Sequence, residues 1–317
     1  MRFALDEQQR AFAASLDAAL GRADVPGVIR SWAGGDTGPG RGLWALLAEL
    51  GVTALAVPED AGGLGAGPVD LVVAAECLGR WCVPGPIAES IAVAPVLLAG
   101  DQRCAELASG EAIATVAMPP AATRAPNADV ADVVLLARDG TVAEATPGSS
   151  HESVDPSRRL FDVTPAGAAR AADVARAHEY GVLITAAQLV GAGRAMLAMS
   201  VDYARTRTQF GRVIGSYQAI KHKLADVHIA LELARPLVFG AAVALAEDSP
   251  DTVRDVSAAK AAASDAALLA ARAALQTHGA IGYTAECDLS HFLLRAQALY
   301  SAWGSPSAHR RRVLAAL

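Results

Sequence analysis

The second half of this chain is a succession of helix-forming runs too long for anything but a bundle. From Asp173 onward they cover about residues 175–207, 217–247, 251–279 and 286–301, followed by a short last helix. Helices of that length joined by short loops pack as antiparallel neighbours. Composition agrees, because the chain is Ala-rich with only 5% aromatic residues, and Ala orders into a helix at the lowest cost of any residue. The third run has Asp251 and Thr252 just after Pro250, good N-cap chemistry, and ends at Gly279, where a Gly terminates helices.

Upstream, residues 4 to 20 place Phe12, Leu16 and Leu20 on one face, with Asp6 and Gln9 spaced as a capping box. Further helical runs are expected over 42–50, 68–77 and 87–98, separated by the turn segments PEDAGGLGAGP and WCVPGP. From Glu111 to about Arg170 the pattern changes to short β-branched runs, among them Val130 to Leu136 and Leu160 to Val163. The expected fold is mainly α with a small central β domain: an N-terminal helical domain over 1–110, a reduced β domain over 111–172 and a C-terminal bundle over 173–317.

Several function classes are excluded at this level. The net charge is −6 with scattered basic residues, so the footprint that a nucleic-acid backbone requires is absent. Cys77, Cys82, Cys104 and Cys287 show neither metal-ligand spacing nor a disulfide framework. The longest uncharged apolar stretch, Tyr180 to Gly193, has 14 residues, short of the roughly 20 that span a bilayer, and reads as a buried helix. With no targeting segment in view, a cytoplasmic location is expected. His222, His228 and His278 lack partners at ligand spacing and read as satisfied structural histidines, with no metal expected. The VGAGRA segment at 190–195 lies mid-helix, so close helix packing explains it better than a nucleotide loop.

Three motifs, in order, carry a family resemblance across nearly the whole chain. LGVTALAVPEDAGGLGAGPVDLVVAAECLGR (50–80), YARTRTQFGRVIGSYQAIKHKLAD (203–226) and QTHGAIGYT (276–284) are similar to segments of the acyl-CoA dehydrogenases. In that family the residues matching Arg207, Gln209, Phe210 and Gln218, and those of the Gln-x-His-Gly-Gly stretch matching Gln276 and Gly279, reach across a subunit interface to the ADP half of the neighbour's FAD. The chemistry is sensible, since a pyrophosphate takes a guanidinium fork and amide donors, and Gly lets backbone N–H groups approach. Without the resemblance, Arg207, Gln209 and Gln218 would pass as solvated helix residues, and Phe210 and Gly279 as packing and helix termination.

The departures from the family are as informative. The resemblance implies a catalytic Glu either before a Gly-Thr pair near the C-terminus or at the start of the first bundle helix. Here Ala302 or Trp303 precedes Gly304-Ser305 at the first place, and Gly181 stands at the second. Glu179 is a weak candidate base, but two residues on a helix turn through about 200° and point it away. The family's Thr-Glu-Pro-x-x-Gly-Ser-Asp strand, which covers the flavin ring, is replaced by ATVAMPPAATRAPNADVADV, and Ala280 replaces the second Gly of the Gln-x-His-Gly-Gly stretch. What survives is the half-site given to a neighbour. The chain thus resembles the short subunit of the α₂β₂ acyl-CoA dehydrogenases of actinobacterial steroid degradation, most closely the one acting on hydrindane-ring CoA thioesters. That resemblance implies FAD shared at an interface, a catalytic partner subunit that carries the base, and acyl-CoA bound mainly by that partner; the alternatives are a self-sufficient homo-oligomeric acyl-CoA dehydrogenase with Glu179 as a relocated base, or a non-enzymatic scaffold of the same fold.

Overall fold

The structure, a computed structural model, describes residues 5–317. Helix α1 (Glu7–Arg22) begins at the expected capping box: Asp6 Oδ1 accepts from the Gln9 N–H at 2.7 Å, and Gln9 Oε1 accepts from the Asp6 N–H at 3.2 Å. The first residue of that expected run, residue 4, lies outside the described residues. Then come α2 (Val25–Ala33), α3 (Gly38–Glu49) and α4 (Pro68–Arg80), a π-helical turn at Glu89–Val93, α5 (Ala94–Leu97) and α6 (Arg103–Ser109). Helices α2 and α6 were not expected from the periodicity. The run expected over 87–98 is split between the π turn and one turn of α-helix.

The central strands are β1 (Ala114–Ala117), β2 (Ala125–Pro126), β3 (Val133–Arg138), β4 (Thr141–His151), β5 (Leu160–Pro165) and β6 (Arg170–Ala171). They form one sheet in the order β1-β3-β4-β5-β2, with β6 also on β4, and only β1 and β3 run parallel. The sheet separates two apolar clusters by strand alternation. Val133 and Leu135 face the large core, whereas Val134 and Leu136 join Ala117 and Phe161 in a small one.

The C-terminal part contains α7 (Val174–Thr206), the two-residue strands β7 (Thr208–Gln209) and β8 (Arg212–Val213), α8 (Gln218–Ala246), α9 (Thr252–His278), α10 (Leu289–Ser301) and α11 (Pro306–Ala315). Helix α7 is the centre of the molecule, with an almost unbroken buried run from Ala177 to Met196. Close packing around it needs glycine. A Cβ on Gly191 would come within 2.0 Å of the Glu76 carbonyl, and one on Gly79 within 2.2 Å of the Gln188 carbonyl. The VGAGRA segment is therefore a helix crossing. A single apolar cluster runs from α1 through α4 into α7–α10, so the N-terminal helices and the bundle share one core.

Asp251 precedes α9, but its side chain accepts no cap hydrogen bond; Thr252 Oγ1 instead donates to the Ser249 and Ala244 carbonyls at 2.7 and 2.9 Å. The four cysteines are free thiols, and among the described residues no cluster of His, Cys, Asp or Glu is arranged to hold a metal.

One buried ion pair ties three segments together. Arg295 on α10 donates to Asp155 Oδ2 at 2.5 Å, to the Val83 carbonyl at 2.9 Å and to Ser157 Oγ at 2.9 Å. Both side chains are almost fully buried. Removing one member of such a pair strands the other charge, at a cost of about 3–5 kcal/mol. Arg295→Met should therefore destabilise the protein by that amount in urea denaturation. Arg295→Met combined with Asp155→Leu should recover at least half of the loss.

Candidate functional site

The residues matching the family's FAD-contacting positions gather at the C-terminal end of α7. Arg207 is the residue after the helix; its carbonyl accepts from the Ile214 N–H at 2.8 Å, closing the loop that carries β7 and β8. The Tyr217 hydroxyl donates to the Gln209 carbonyl at 3.2 Å, and the Arg212 guanidinium sits 4.0 Å over the Tyr217 ring. Gln218 is the first residue of α8. The ring of Tyr203, one turn before Arg207, stacks on His278 at 4.4 Å, which brings the end of α9 alongside.

There Gly279 ends α9 with φ +67°, its N–H bonded to the Leu275 carbonyl. Gln276 lies on the last turn. Arg207, Gln209, Phe210, Gln218, Gln276 and Gly279 are all exposed, and Phe210 is 91% exposed at φ +51°. Among the described residues the Arg207 guanidinium has no carboxylate partner. Arg205, Arg212 and Lys221 stand nearby in sequence and are exposed too, so this end presents cationic and amide donors to solvent.

Histidines around the site divide by environment. His278 is satisfied as expected, its Nδ1 at 2.8 Å from the Ala274 carbonyl. His222 and His228 are exposed on α8, solvated rather than packed.

Helix α8 continues the exposed surface. Ile229, Leu233 and Leu237 recur at i, i+4 and i+8 and are 56%, 69% and 47% exposed. By length and composition both α7 and α8 are apolar enough to cross a bilayer, which the uncharged-run length alone had not indicated. The most apolar window of α7 is 78% buried inside the molecule, whereas that of α8 is only 44% buried. These three side chains form an apolar stripe that the chain itself leaves uncovered.

The N-terminal end of α7 is closed. The two positions at which the family would carry its base meet in space: a Cβ on Gly181 would lie 2.6 Å from the Trp303 ring. Trp303 is 1% exposed, and its Nε1–H donates to Glu89 Oε1 at 3.1 Å. Glu179 is buried and bound to Arg312 and to His178 Nδ1, the latter at 3.1 Å, leaving its Oε2 without a partner. Burial alone would raise the Glu179 carboxyl, but the His178 hydrogen bond and the Arg312 charge hold it below the usual carboxylate range. A base needs a proton affinity near the working pH, so this environment opposes that role.

Opposite Trp303, the Met118 N–H and carbonyl are both paired with Ala122, at 2.6 and 2.9 Å, while Pro119 and Pro120 have no N–H. Met118, Pro119 and Pro120 therefore have no free backbone N–H to offer the polar edge of a flavin.

Residues 6–106 match the model of the acyl-CoA dehydrogenase N-terminal domain, and residues 174–317 match that of the C-terminal domain. The acyl-CoA dehydrogenase IpdE2 of Mycobacterium tuberculosis is 33% identical over 295 residues, covering 91% of this chain and 90% of that protein. This chain belongs to the acyl-CoA dehydrogenase family. Among solved structures of similar fold, the ChsE4-ChsE5 complex from Mycobacterium tuberculosis has a TM-score of 0.83 at 23% identity, covering 99% of this chain and 98% of that one. The Tcur3481-Tcur3483 steroid ACAD G363A variant has a TM-score of 0.86 at 21% identity, covering 98% and 97%.

The acyl-CoA dehydrogenase fold implies FAD, and the two ends of α7 fit it differently. The exposed Arg207 end has free donors suited to a pyrophosphate. The Trp303 end carries an indole beside a cleft of about 1000 Å³, and Met118 opposite it is paired with Ala122. Gly181 and Arg207 are 26 residues apart, about 39 Å along the helix.

Sequence inspection missed Lys260, which is fully buried on α9. Its Nζ donates to Ser264 Oγ at 3.0 Å and to the carbonyls of Leu299, Tyr300 and Gly304 at 3.1, 3.2 and 3.4 Å, fastening the turn that carries Trp303. Burial pushes its ammonium down to about 7 from the ordinary 10.5. Between those two values the unfolded chain holds the proton and the folded chain releases it, so this group makes the fold more stable as pH rises above 7. The slope is at most about 1.4 kcal/mol per pH unit. Wild type should gain stability relative to Lys260→Met between pH 7 and 8.5, measured as the pH dependence of the difference in urea midpoints. Parallel curves for the two proteins would place the lysine pKa elsewhere.

Proposed function

We propose that this chain is a subunit of a heteromeric FAD-dependent acyl-CoA dehydrogenase that introduces an α,β double bond into a CoA thioester of steroid catabolism. It lends the Arg207 end of α7 to FAD held by a catalytic partner subunit of the same family. The observation that carries this reading is the opposition between the two ends of α7: exposed donors at one, an indole in place of a base at the other.

Bound FAD supplies the acceptor for the hydride leaving Cβ while a carboxylate takes the α-proton. This chain places no free carboxylate at Gly181 or Trp303, and Glu179 is occupied by Arg312 and His178. The base is therefore assigned to the partner. What this chain contributes is binding: Arg207 as a guanidinium fork, Gln209, Gln218 and Gln276 as amide donors or acceptors, Phe210 as an apolar surface, and the Gly279 turn as a place of close backbone approach. The Ile229–Leu233–Leu237 stripe runs down the same helix that Gln218 begins, and covering it with the partner would put the flavin-facing residues at the edge of that interface.

The relatives support the heteromeric reading. Two solved structures of this fold pair two named chains, ChsE4 with ChsE5 and Tcur3481 with Tcur3483, and the latter is named a steroid ACAD. The length agreement with IpdE2 is close at both ends of the comparison.

The test is Arg207→Ala in the complex co-purified with its catalytic partner. Loss of a charge-assisted phosphate contact costs about 1.5–3 kcal/mol, or roughly 10- to 100-fold in FAD affinity. Flavin retained after gel filtration should fall accordingly, with the complex still assembled. A chain that is only a scaffold would leave flavin content unchanged.

A further inference from the structure

Trp303 is held with more apparatus than a packing residue needs. Its backbone lies at φ +58°, a region that costs a non-glycine residue about 1–3 kcal/mol. His309 Nε2 donates to its carbonyl at 2.9 Å, Lys260 donates to the carbonyl of the next residue, Gly304, at 3.4 Å, and Glu89 accepts its indole N–H. All three holding side chains are buried. Arg158 lies 3.6 Å from the same Glu89 oxygen, so the carboxylate receiving the indole is itself fixed.

The indole also stands between two clefts. One, of about 1000 Å³, is largely apolar and has His178, Arg311 and Arg312 on its walls. The other, of about 530 Å³, includes Arg124 and Arg158. Ala121, Ser301 and Trp303 are walls of both. Beneath the ring the backbone of Gly181 leaves space for no side chain at all. The ring thus occupies the junction of the two clefts.

We propose that Trp303 is a plug at the junction of these two clefts, taking the space that the acyl part of an amphipathic anion would enter, so that each copy of this chain binds no acyl thioester of its own. The proposal rests on the division of labour argued above, because a plugged junction here leaves the thioester to the partner. The cleft chemistry identifies what is excluded: an apolar body with an anionic carrier, the former directed at the indole and the latter toward Arg311 and Arg312. Trp303→Gly removes the plug while keeping the turn, because glycine adopts φ +58° without strain.

The experiment counts octanoyl-CoA sites by equilibrium dialysis on the intact co-purified assembly, expressed per copy of this chain and compared between variants. Wild type and Trp303→Phe should show the same number. Trp303→Gly should show one more per copy, and added indole, which refills the vacated space, should displace that extra ligand. Trp303→Val is the second opening variant should the glycine form assemble poorly, and it too should gain a site. The proposal is overturned if Trp303→Gly or Trp303→Val assembles without gaining a site, or if the extra ligand is insensitive to indole. It is equally overturned, with no variant needed, if wild type binds one octanoyl-CoA in every copy of this chain beyond the partner's own. Because the readout is a change in ligand number per copy, it is independent of flavin content, which tests the shared-cofactor reading separately.

Discussion

The close approach of helices along α7 is the constraint on which the rest of the molecule depends. Gly191 lies against the Glu76 backbone and Gly79 against that of Gln188, contacts that a single methyl would forbid. With those contacts in place, a 33-residue helix runs through the shared core and fixes how far apart its two ends must be. At about 1.5 Å per residue that separation is rigid, and it divides the chain's chemistry between two places that no single cofactor joins.

The two ends have opposite physical characters. The end near Arg207 is open, polar and cationic, and continuous with an apolar stripe on α8 that the chain itself leaves uncovered. The end near Gly181 is filled by Trp303 and surrounded by buried charged side chains, each paired inside the molecule: Glu89 with the indole and Arg158, Glu179 with Arg312, and Lys260 with three carbonyls. Burying a charge costs several kcal/mol unless its partners are arranged around it. Each of these charges has at least one partner inside the molecule, although Glu179 Oε2 has none, and the pairing indicates a built interior, not a decayed one.

Much of this was legible in the sequence, for identifiable reasons. The Asp6–Gln9 capping box, the Gly279 stop and the long helical periods are local signals, and local signals survive without tertiary information. The family motifs around Arg207 and Gln276 could be recognised because they too are short and contiguous. What the sequence withheld were contacts between distant positions. Gly181 and Trp303 were each seen to lack a carboxylate, but not to touch. The burial of Lys260 has no local signature, since a lysine in an Ala-rich helix ordinarily points to solvent. His222 and His228 were expected to be satisfied structural histidines and are exposed, because α8 turns out to have an uncovered face. Glu179 was discounted on helical angle alone, whereas its ion pair with Arg312, more than a hundred residues away, is the stronger reason.

The central claim is that this chain completes a flavin site it does not own. The most direct measurement is to co-express it with a complete acyl-CoA dehydrogenase partner and determine FAD per assembled pair by absorbance and protein quantitation, alongside the same chain purified alone. The account predicts one FAD per pair and a colourless isolated chain. Two FAD per pair, or a yellow isolated chain with stoichiometric flavin and dehydrogenase activity, would contradict it.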